Sequence, residues 1–501
     1  MESKPESEQE RQILKSTFIM GGSSVITSLM GMIRTKIVAL MLGPSGVGLI
    51  GVYLTITSLV STFSGMGIGE SGVRQIAGAY NAGGSEVISR SVLTIRRAAL
   101  LSGLAGLFLL SVFSGSVSRL TFGSAEHAFD IVLLSMTVFF AAVSAGQTAL
   151  IQGTRRIGDL AKASVISACF GTLFSVPLVY FFGARGIVFY LIVVPATGLL
   201  ASSWYAGKIR VPAATLSWRE SLVGARPLLK LGMALMLGTL MTVVTQYILR
   251  VLVIRQLGMN AAGAFHASST LSLVYVGIIL NAMLIDFYPR LSAAAQDRQH
   301  CAILINKQVE MGLLLAVPGI MAIMTFAPLL VVLFYSSAFT QAIEILRWQL
   351  MGVALQVVNW PMGFMLRAQG NGKLLIQTEL CANLSHLGLA WLGLTHFGLP
   401  GIGMAFFGMN LLYAMLIVFV LTRSYRFSFQ PGNLRLFGVF ALAIGAVFAT
   451  PWFLSKGVHL LVNSAFTVAV ALYCLIAVNN RADSEMIPGF FLKLKARLGL
   501  S

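Results

Sequence analysis

Apolar residues run for twenty or more positions at a time along this chain, and the polar residues gather in the short intervals between the runs. A helix needs about 20 mainly apolar residues to cross about 30 Å of hydrocarbon. The pattern predicts fourteen such helices, at 15-42, 46-79, 87-118, 128-152, 160-182, 186-206, 227-256, 262-292, 303-335, 343-369, 374-396, 401-422, 434-454 and 457-479. A membrane barrel would show alternating segments of about ten residues, whereas these runs are longer and apolar on every face. The fold class is therefore all-α and integral to a membrane, since only helices and closed barrels satisfy their backbone groups in lipid. Glu2, Glu6, Glu8 and Glu10 precede the first run without a cleavage-type signal, so the first span is expected to remain as an anchor.

Composition agrees: 57% of the 501 residues are hydrophobic and 10% charged, with a mean hydropathy of +0.85. The net charge of +18 would suggest nucleic acid in a soluble protein, but here it reads as topology. With the N-terminus cytoplasmic, 27 of the 35 Lys and Arg residues fall at cytoplasmic ends, including Arg90, Arg96, Arg97, Arg155, Arg156, Arg367 and Lys373. Such a bias sets both termini inside, and no nucleic-acid partner is expected. The exceptions are Arg34, Lys36, Arg119, Arg185, Arg250, Arg255, Arg347 and Lys456. Cys169, Cys301, Cys381 and Cys474 lie far apart in apolar segments, without the spacing of a metal or redox site.

A faint duplication organises the spans. Leu42, Gly43 and Gly48 recur as Leu257, Gly258 and Gly263, and Phe182, Gly183, Gly186 and Ile187 recur as Phe397, Gly398, Gly401 and Ile402, all 215 residues apart. At an offset of 216 three charged positions coincide: Arg34 with Arg250, Glu70 with Asp286, and Arg74 with Arg290. The expected organisation is a tail (1-14), an N-lobe of six spans (15-206), a basic cytoplasmic linker (207-226), a C-lobe of six spans (227-422), a helix pair (423-480) and a second tail (481-501). Six spans return the chain to its starting side, so the lobes are parallel repeats of the kind transporters use.

Basic residues deep in a span cost about 2.5 to 3.5 kcal/mol on insertion scales and usually face a water-filled cavity. Arg34, Lys36, Arg250 and Arg255 are expected there as cargo contacts, with snorkelling to the outer headgroups as the alternative. Below them Thr239, Thr242, Gln246 and Arg250 fall at spacings of 3, 4 and 4, one polar helical face. Ser23, Thr27, Gly31 and Arg34 form the matching stripe. Asn359, beside Trp360 and Pro361 with Gln349 and Gln356 upstream, makes the tenth span another candidate wall. Glu70 with Arg74, and Asp286 with Arg290, stand four apart near the cytoplasmic ends of spans two and eight. They read either as local ion pairs or as an inner gate or coupling site.

Other motifs carry less. Gly67, Gly69 and Gly72 match G-x-G-x-x-G, but no strand precedes them, so close helix packing or local unwinding is the expectation. Pro177, Pro195, Pro318 and Pro361 fall inside spans, where a missing N–H loosens a helix. The sequon at Asn383 is buried in a span. The six histidines are scattered, no paired carboxylates sit in an outer loop, and the longest connection is about twenty residues, so no catalytic site, metal or cofactor is expected.

Leu42, Gly43, Pro44, Ser45, Gly46, Val47, Gly48, then Gly67, Ile68, Gly69, then Ser71 to Ala77, resemble the N-terminal signature of the O-antigen translocases. These are polysaccharide flippases of the multidrug/oligosaccharidyl-lipid/polysaccharide exporter superfamily. Arg155, Arg156, Ile157, Gly158, Asp159 and Leu160 resemble the same group. The resemblance implies a V-shaped pair of six-helix lobes about a cationic cavity in the bacterial inner membrane. It implies transfer of an undecaprenyl-pyrophosphate-linked oligosaccharide by alternating access, coupled to H+ or Na+, with a polysaccharide polymerase and a chain-length regulator as partners. Fourteen spans, against twelve in many members, are also similar to the peptidoglycan-precursor flippases. A multidrug cation exporter is the competing reading, but few intramembrane carboxylates are available to it: Glu70, Asp286, Glu310, Glu344 and Glu379. A scaffold without transport activity would leave the cavity charges without a purpose.

Overall fold

The computed structural model describes residues 4–81, 85–212 and 215–480, and all regular structure among them is helical. The basic tail expected at 481-501 lies outside the described residues. The helices are α1 (Lys4–Gly65), α2 (Ile68–Asn81), α3 (Ser85–Val112), α4 (Ser114–Phe122), α5 (Ala128–Gly153), α6 (Ile157–Phe182), α7 (Gly186–Gly207) and α8 (Trp218–Leu257). They continue as α9 (Met259–Ala293), α10 (Arg298–Thr325), α11 (Ala327–Phe334), α12 (Gln341–Ala368), α13 (Gly372–Phe397), α14 (Pro400–Tyr425), α15 (Pro431–Phe453) and α16 (Lys456–Asn480). Each of the fourteen expected spans coincides with helix. Among the described residues, ten segments are long and apolar enough to cross a membrane by composition, and two of these, of 47 and 51 residues, have the length of two crossings. Polar side chains such as Gln349, Gln356 and Asn359 dilute α12 below that standard, so the count of fourteen is not fixed by hydropathy.

The breaks are where the duplication is clearest. Gly43 interrupts α1 with φ 64° and ψ −163°, and Gly258 separates α8 from α9 with φ 85° and ψ −178°. Gly183 (φ 57°, ψ −133°) ends α6, and Gly398 (φ 62°, ψ −141°) ends α13. After α5 the chain closes with Arg155 N–H to Gln152 O and Arg156 N–H to Ile151 O; after α12, Gly370 N–H goes to Arg367 O and Asn371 N–H to Leu366 O. Both are left-handed helix ends that satisfy terminal carbonyls, with φ 58° at Arg155 and 67° at Gly370. All three pairs stand 215 residues apart.

That common offset corrects the pairing of the charges. Arg34 precedes Gly43 by nine residues and Arg250 precedes Gly258 by eight, each along uninterrupted helix. One residue is about 100° of helical rotation, so the two arginines do not occupy equivalent faces.

Two compact units emerge, residues 1–263 with 334–336, and residues 264–333 with 337–501. The first takes in α8, which is pinned at its start. Ser217 and Glu220 form a reciprocal cap, Ser217 Oγ accepting from Glu220 N–H and the Glu220 carboxylate accepting from Ser217 N–H. Arg97 donates to Leu216 O, Ser217 O and Ser221 Oγ and lies over the Trp218 ring. The second half of the expected linker is thus the first turns of a helix. Farther along the unit backbones approach closely: a Cβ on Gly67, in the break between α1 and α2, would lie 2.6 Å from Gly232 O on α8, and one on Gly48 of α1 2.9 Å from Gly263 N on α9.

In the second unit α10 is the hub, buried along most of its length from Cys301 to Thr325. Asn306 fastens the helix pair to it: its amide donates to Ser428 O, while its Oδ1 accepts from Gln430 N–H and Asn433 Nδ2. The prolines inside α6, α7, α10 and α12 are spanned by continuous helix.

Candidate functional site

Of the expected cargo contacts, Arg34, Lys36, Gln246, Arg250 and Arg255 belong to the first unit and Asn359 to the second. Their environments separate them. Arg34 is partly buried, with its guanidinium carbon 5.2 Å from the centre of the Tyr190 ring and Nε shielded from solvent without a hydrogen bond. Tyr190 in turn belongs to a core cluster with Val38, Tyr53 and Tyr247, against which Val251 and Ile254 of α8 pack. Arg34 on α1 and the α8 segment that carries Arg250 therefore flank one core. Arg250 is 8% exposed, and Thr239, Thr242 and Gln246 on the same helical face are exposed. Hydroxyl and amide groups left open on a membrane-crossing helix supply hydrogen-bonding capacity that lipid cannot use.

Lys36 and Arg255 are engaged with backbone. Lys36 Nζ donates to Tyr335 O at 2.6 Å. The Arg255 guanidinium donates to Arg119 O and, at 2.9 Å, to Leu120 O, the last carbonyls of α4, where a cation also meets the negative end of the helix dipole. A Cβ on Gly123 would lie 2.7 Å from Arg255 Nη1, so the glycine that ends α4 makes room for it. Asn359 is buried and donates to Asn410 O at 2.9 Å, tying α12 to α14. All three positions are thus engaged in hydrogen bonds within the fold.

Glu70 and Arg74 are both exposed on α2, and the ion pair their spacing permits is absent among the described residues. Arg290 is partly buried on α9, and the Asp286 side chain lies outside the described residues. The glycine pattern does mark unwinding: Met66 and Gly67 carry φ 45° and 63° between α1 and α2.

One cluster has no counterpart among the sequence candidates. Tyr53 Oη donates to Asp130 Oδ2 at 2.8 Å and lies 2.9 Å from His127 Nδ1, which is 3.4 Å from the same carboxylate oxygen. The His127 ring rests on Phe122, centroids 4.1 Å apart. Tyr53 is fully buried, so the cluster joins α1 to the turn between α4 and α5. The only signal was a His and an Asp three residues apart at a helix start; the tyrosine is 74 positions away.

The family model described as polysaccharide biosynthesis protein matches residues 37–344, more than half of the chain. The lipid III flippases of Escherichia coli (strain K12) and Shigella flexneri are each 22% identical over 376 residues, which cover 74% of this chain and 88% of theirs. Among solved structures, the lipid II flippase MurJ in an inward closed conformation superposes with a TM-score of 0.69 at 14% identity, covering 93% of this chain and 100% of that one. An inward-facing multidrug resistance transporter of the MATE family gives 0.61 at 17% identity, over 83% of this chain and 95% of its own. The likeness to these structures establishes the fold. The chain belongs to the polysaccharide biosynthesis protein family.

Proposed function

We propose that this protein is a flippase that carries a lipid-linked oligosaccharide, a pyrophosphate-bearing O-antigen or similar repeat unit, across the bacterial inner membrane. Family membership over residues 37–344 is the observation that carries the reading. The relatives named above are flippases and transporters, which agrees with a role in transport and not in catalysis. Arg34 and Arg250 are the cargo cations: a guanidinium engages two phosphate oxygens at once, and a basic group held in a span favours an anionic headgroup over a cationic drug. Thr239, Thr242 and Gln246 meet sugar hydroxyls. The lobes alternate access by rocking, driven by an H+ or Na+ gradient, with both termini cytoplasmic and Glu70 or Asp286 as the coupling carboxylate.

Replacing Arg34 and Arg250 by Ala, singly and together, tests the cationic site in a strain lacking its own flippase. Surface polysaccharide is expected to fall at least tenfold in the double variant; wild-type polymer at normal expression would sink the assignment. For coupling, vesicle transport by Glu70→Gln or Asp286→Asn is expected to lose its dependence on the gradient, and an unchanged dependence removes that carboxylate from the role.

A further inference from the structure

Among the described residues, two of the cavities lined by charged groups differ in how far those charges are engaged. The larger, of about 570 Å³, lies in the first unit against Gln75, Arg90, Thr94, Arg219 and Glu220. Its charges are largely spent within the protein: Arg90 pairs with Glu86 at 2.8 Å, and Glu220 caps α8. The second, of about 370 Å³, lies in the second unit between the first turns of α12 and the last turns of α15, lined by Thr340, Ile343, Glu344, Arg347, Phe448 and Trp452. Glu344 is exposed and Arg347 partly buried; the two charges attract each other across one helical turn, but neither makes a hydrogen bond or a direct ion pair among the described residues.

We infer that the cavity between α12 and α15 binds a zwitterionic phospholipid headgroup, phosphate on Arg347 and ammonium on Glu344. Residues three apart on a helix have their Cβ atoms about 5–6 Å from each other on one face. A phosphoethanolamine group presents its two charges across two carbons, a separation such a pair can bracket. Each charged side chain then gains a charge-assisted hydrogen bond that the protein itself does not supply. Trp452, 65% exposed, offers the best ring for a cation within reach. Phe448 closes the inner wall, set edge-on to Trp452 with centroids 5.0 Å apart.

Elsewhere on α15, Val439, Leu442 and Phe453 are exposed apolar side chains against which acyl chains can lie. The volume lies within the range of small-ligand sites, and Thr340 adds a hydroxyl for the glycerol oxygens. Charge balance selects the headgroup. A phosphoglycerol lipid or a lipid-linked pyrophosphate would gain Arg347 but meet repulsion from Glu344, whereas a zwitterion uses both. The inference rests on the membrane assignment of the chain and not on the identity of its cargo.

Detergent-purified full-length protein, titrated with phosphatidylethanolamine or phosphatidylglycerol of identical acyl chains and read by native mass spectrometry, tests it without a transport assay. The wild type is expected to retain one phosphatidylethanolamine about tenfold more tightly than phosphatidylglycerol, about 1.4 kcal/mol in binding. Arg347→Ala is expected to lose about tenfold for phosphatidylethanolamine, and Glu344→Gln to abolish the preference between the two lipids. Equal retention of both lipids by the wild type, or an Arg347→Ala protein that binds phosphatidylethanolamine as the wild type does, would overturn it. Should Arg347→Ala fail to fold, the preference measured in Glu344→Gln and Trp452→Ala decides, since both alter exposed side chains. A preference that survives both changes places the lipid elsewhere.

Discussion

Gly43 and Gly258 turn the chain through nearly the same angles, yet the residues that follow them differ in kind between the two copies of the repeat. Tyr53, His127 and Asp130 in the first copy align at an offset of 215 with Ser268, Ala342 and Ile345 in the second. The first set is a hydrogen-bonded titratable cluster. The second set is fully buried, with the Ser268 hydroxyl donating locally to Phe265 O. The copies also differ at the next break: Met66 and Gly67 interrupt the first copy, while α9 runs unbroken from Met259 to Ala293. Backbone geometry was retained where helices must end or cross, while the Tyr53, His127 and Asp130 cluster belongs to one copy.

The shared feature should be the least forgiving. Gly48 and Gly263 meet backbone to backbone, and a Cβ on Gly263 would lie 2.7 Å from Pro44 C, where no flexible side chain can yield. Gly263→Ala is expected to cost about 3 kcal/mol, the upper range for overpacking, and to lower both yield and the thermal midpoint in detergent. Gly277→Ala, whose added Cβ meets nothing within 4 Å, is the control. Equal behaviour of the two would mean that the crossing has room for a methyl group.

The difference between copies should show next. Tyr53→Phe leaves the partly exposed Asp130 and His127 without their shared hydroxyl, and a hydrogen bond to a carboxylate is worth about 1.5–3 kcal/mol. Ser268→Ala at the aligned position removes one local hydrogen bond and is expected to cost less than about 1 kcal/mol. Comparable shifts in unfolding midpoint would erase the contrast.

Arg155 and Gly370 allow a reciprocal exchange. Both end a helix in the left-handed region, which costs a residue with a Cβ about 1–2 kcal/mol. Arg155→Gly is expected to raise the unfolding midpoint, by about 1 kcal/mol of stability, and Gly370→Ala to lower it by a similar amount. A destabilised Arg155→Gly would show that the arginine side chain contributes more than its backbone costs.

Much of this architecture could be read from hydropathy because spans are local: each apolar run announces its own helix, and the Leu42 to Gly46 break announces its own turn. Helix ends inside an apolar run could not. The stop at Phe113 before α4 lies between two apolar stretches, so the short helix that Arg255 caps was hidden within the third span. For the same reason Arg255 reads in the sequence as a cargo cation while its guanidinium is bound to α4. Tyr53 with Asp130, and Lys36 with Tyr335, are pairs 77 and 299 residues apart, beyond any periodicity. The pairing of Arg34 with Arg250 at 216 failed for a different reason. It counted residue types, whereas the breaks count backbone geometry.

The smallest effect is expected where the second copy begins. The Glu220 carboxylate accepts the Ser217 backbone N–H at 2.7 Å, and that bond, together with the Ser217 side chain, holds it below the usual carboxylate range. A carboxylate whose folded pKa is depressed contributes stability that is fully present above its unfolded pKa and lost as pH falls through the folded value. Glu220→Gln is therefore expected to speed amide exchange at the first turn of α8 at neutral pH. The difference from wild type should close as the solution is acidified through and below the ordinary carboxylate range. Because Glu220 is exposed, the change in global unfolding should be the least of the series. A difference in exchange that persists unchanged at low pH would mean that the ionised carboxylate is not what closes the cap.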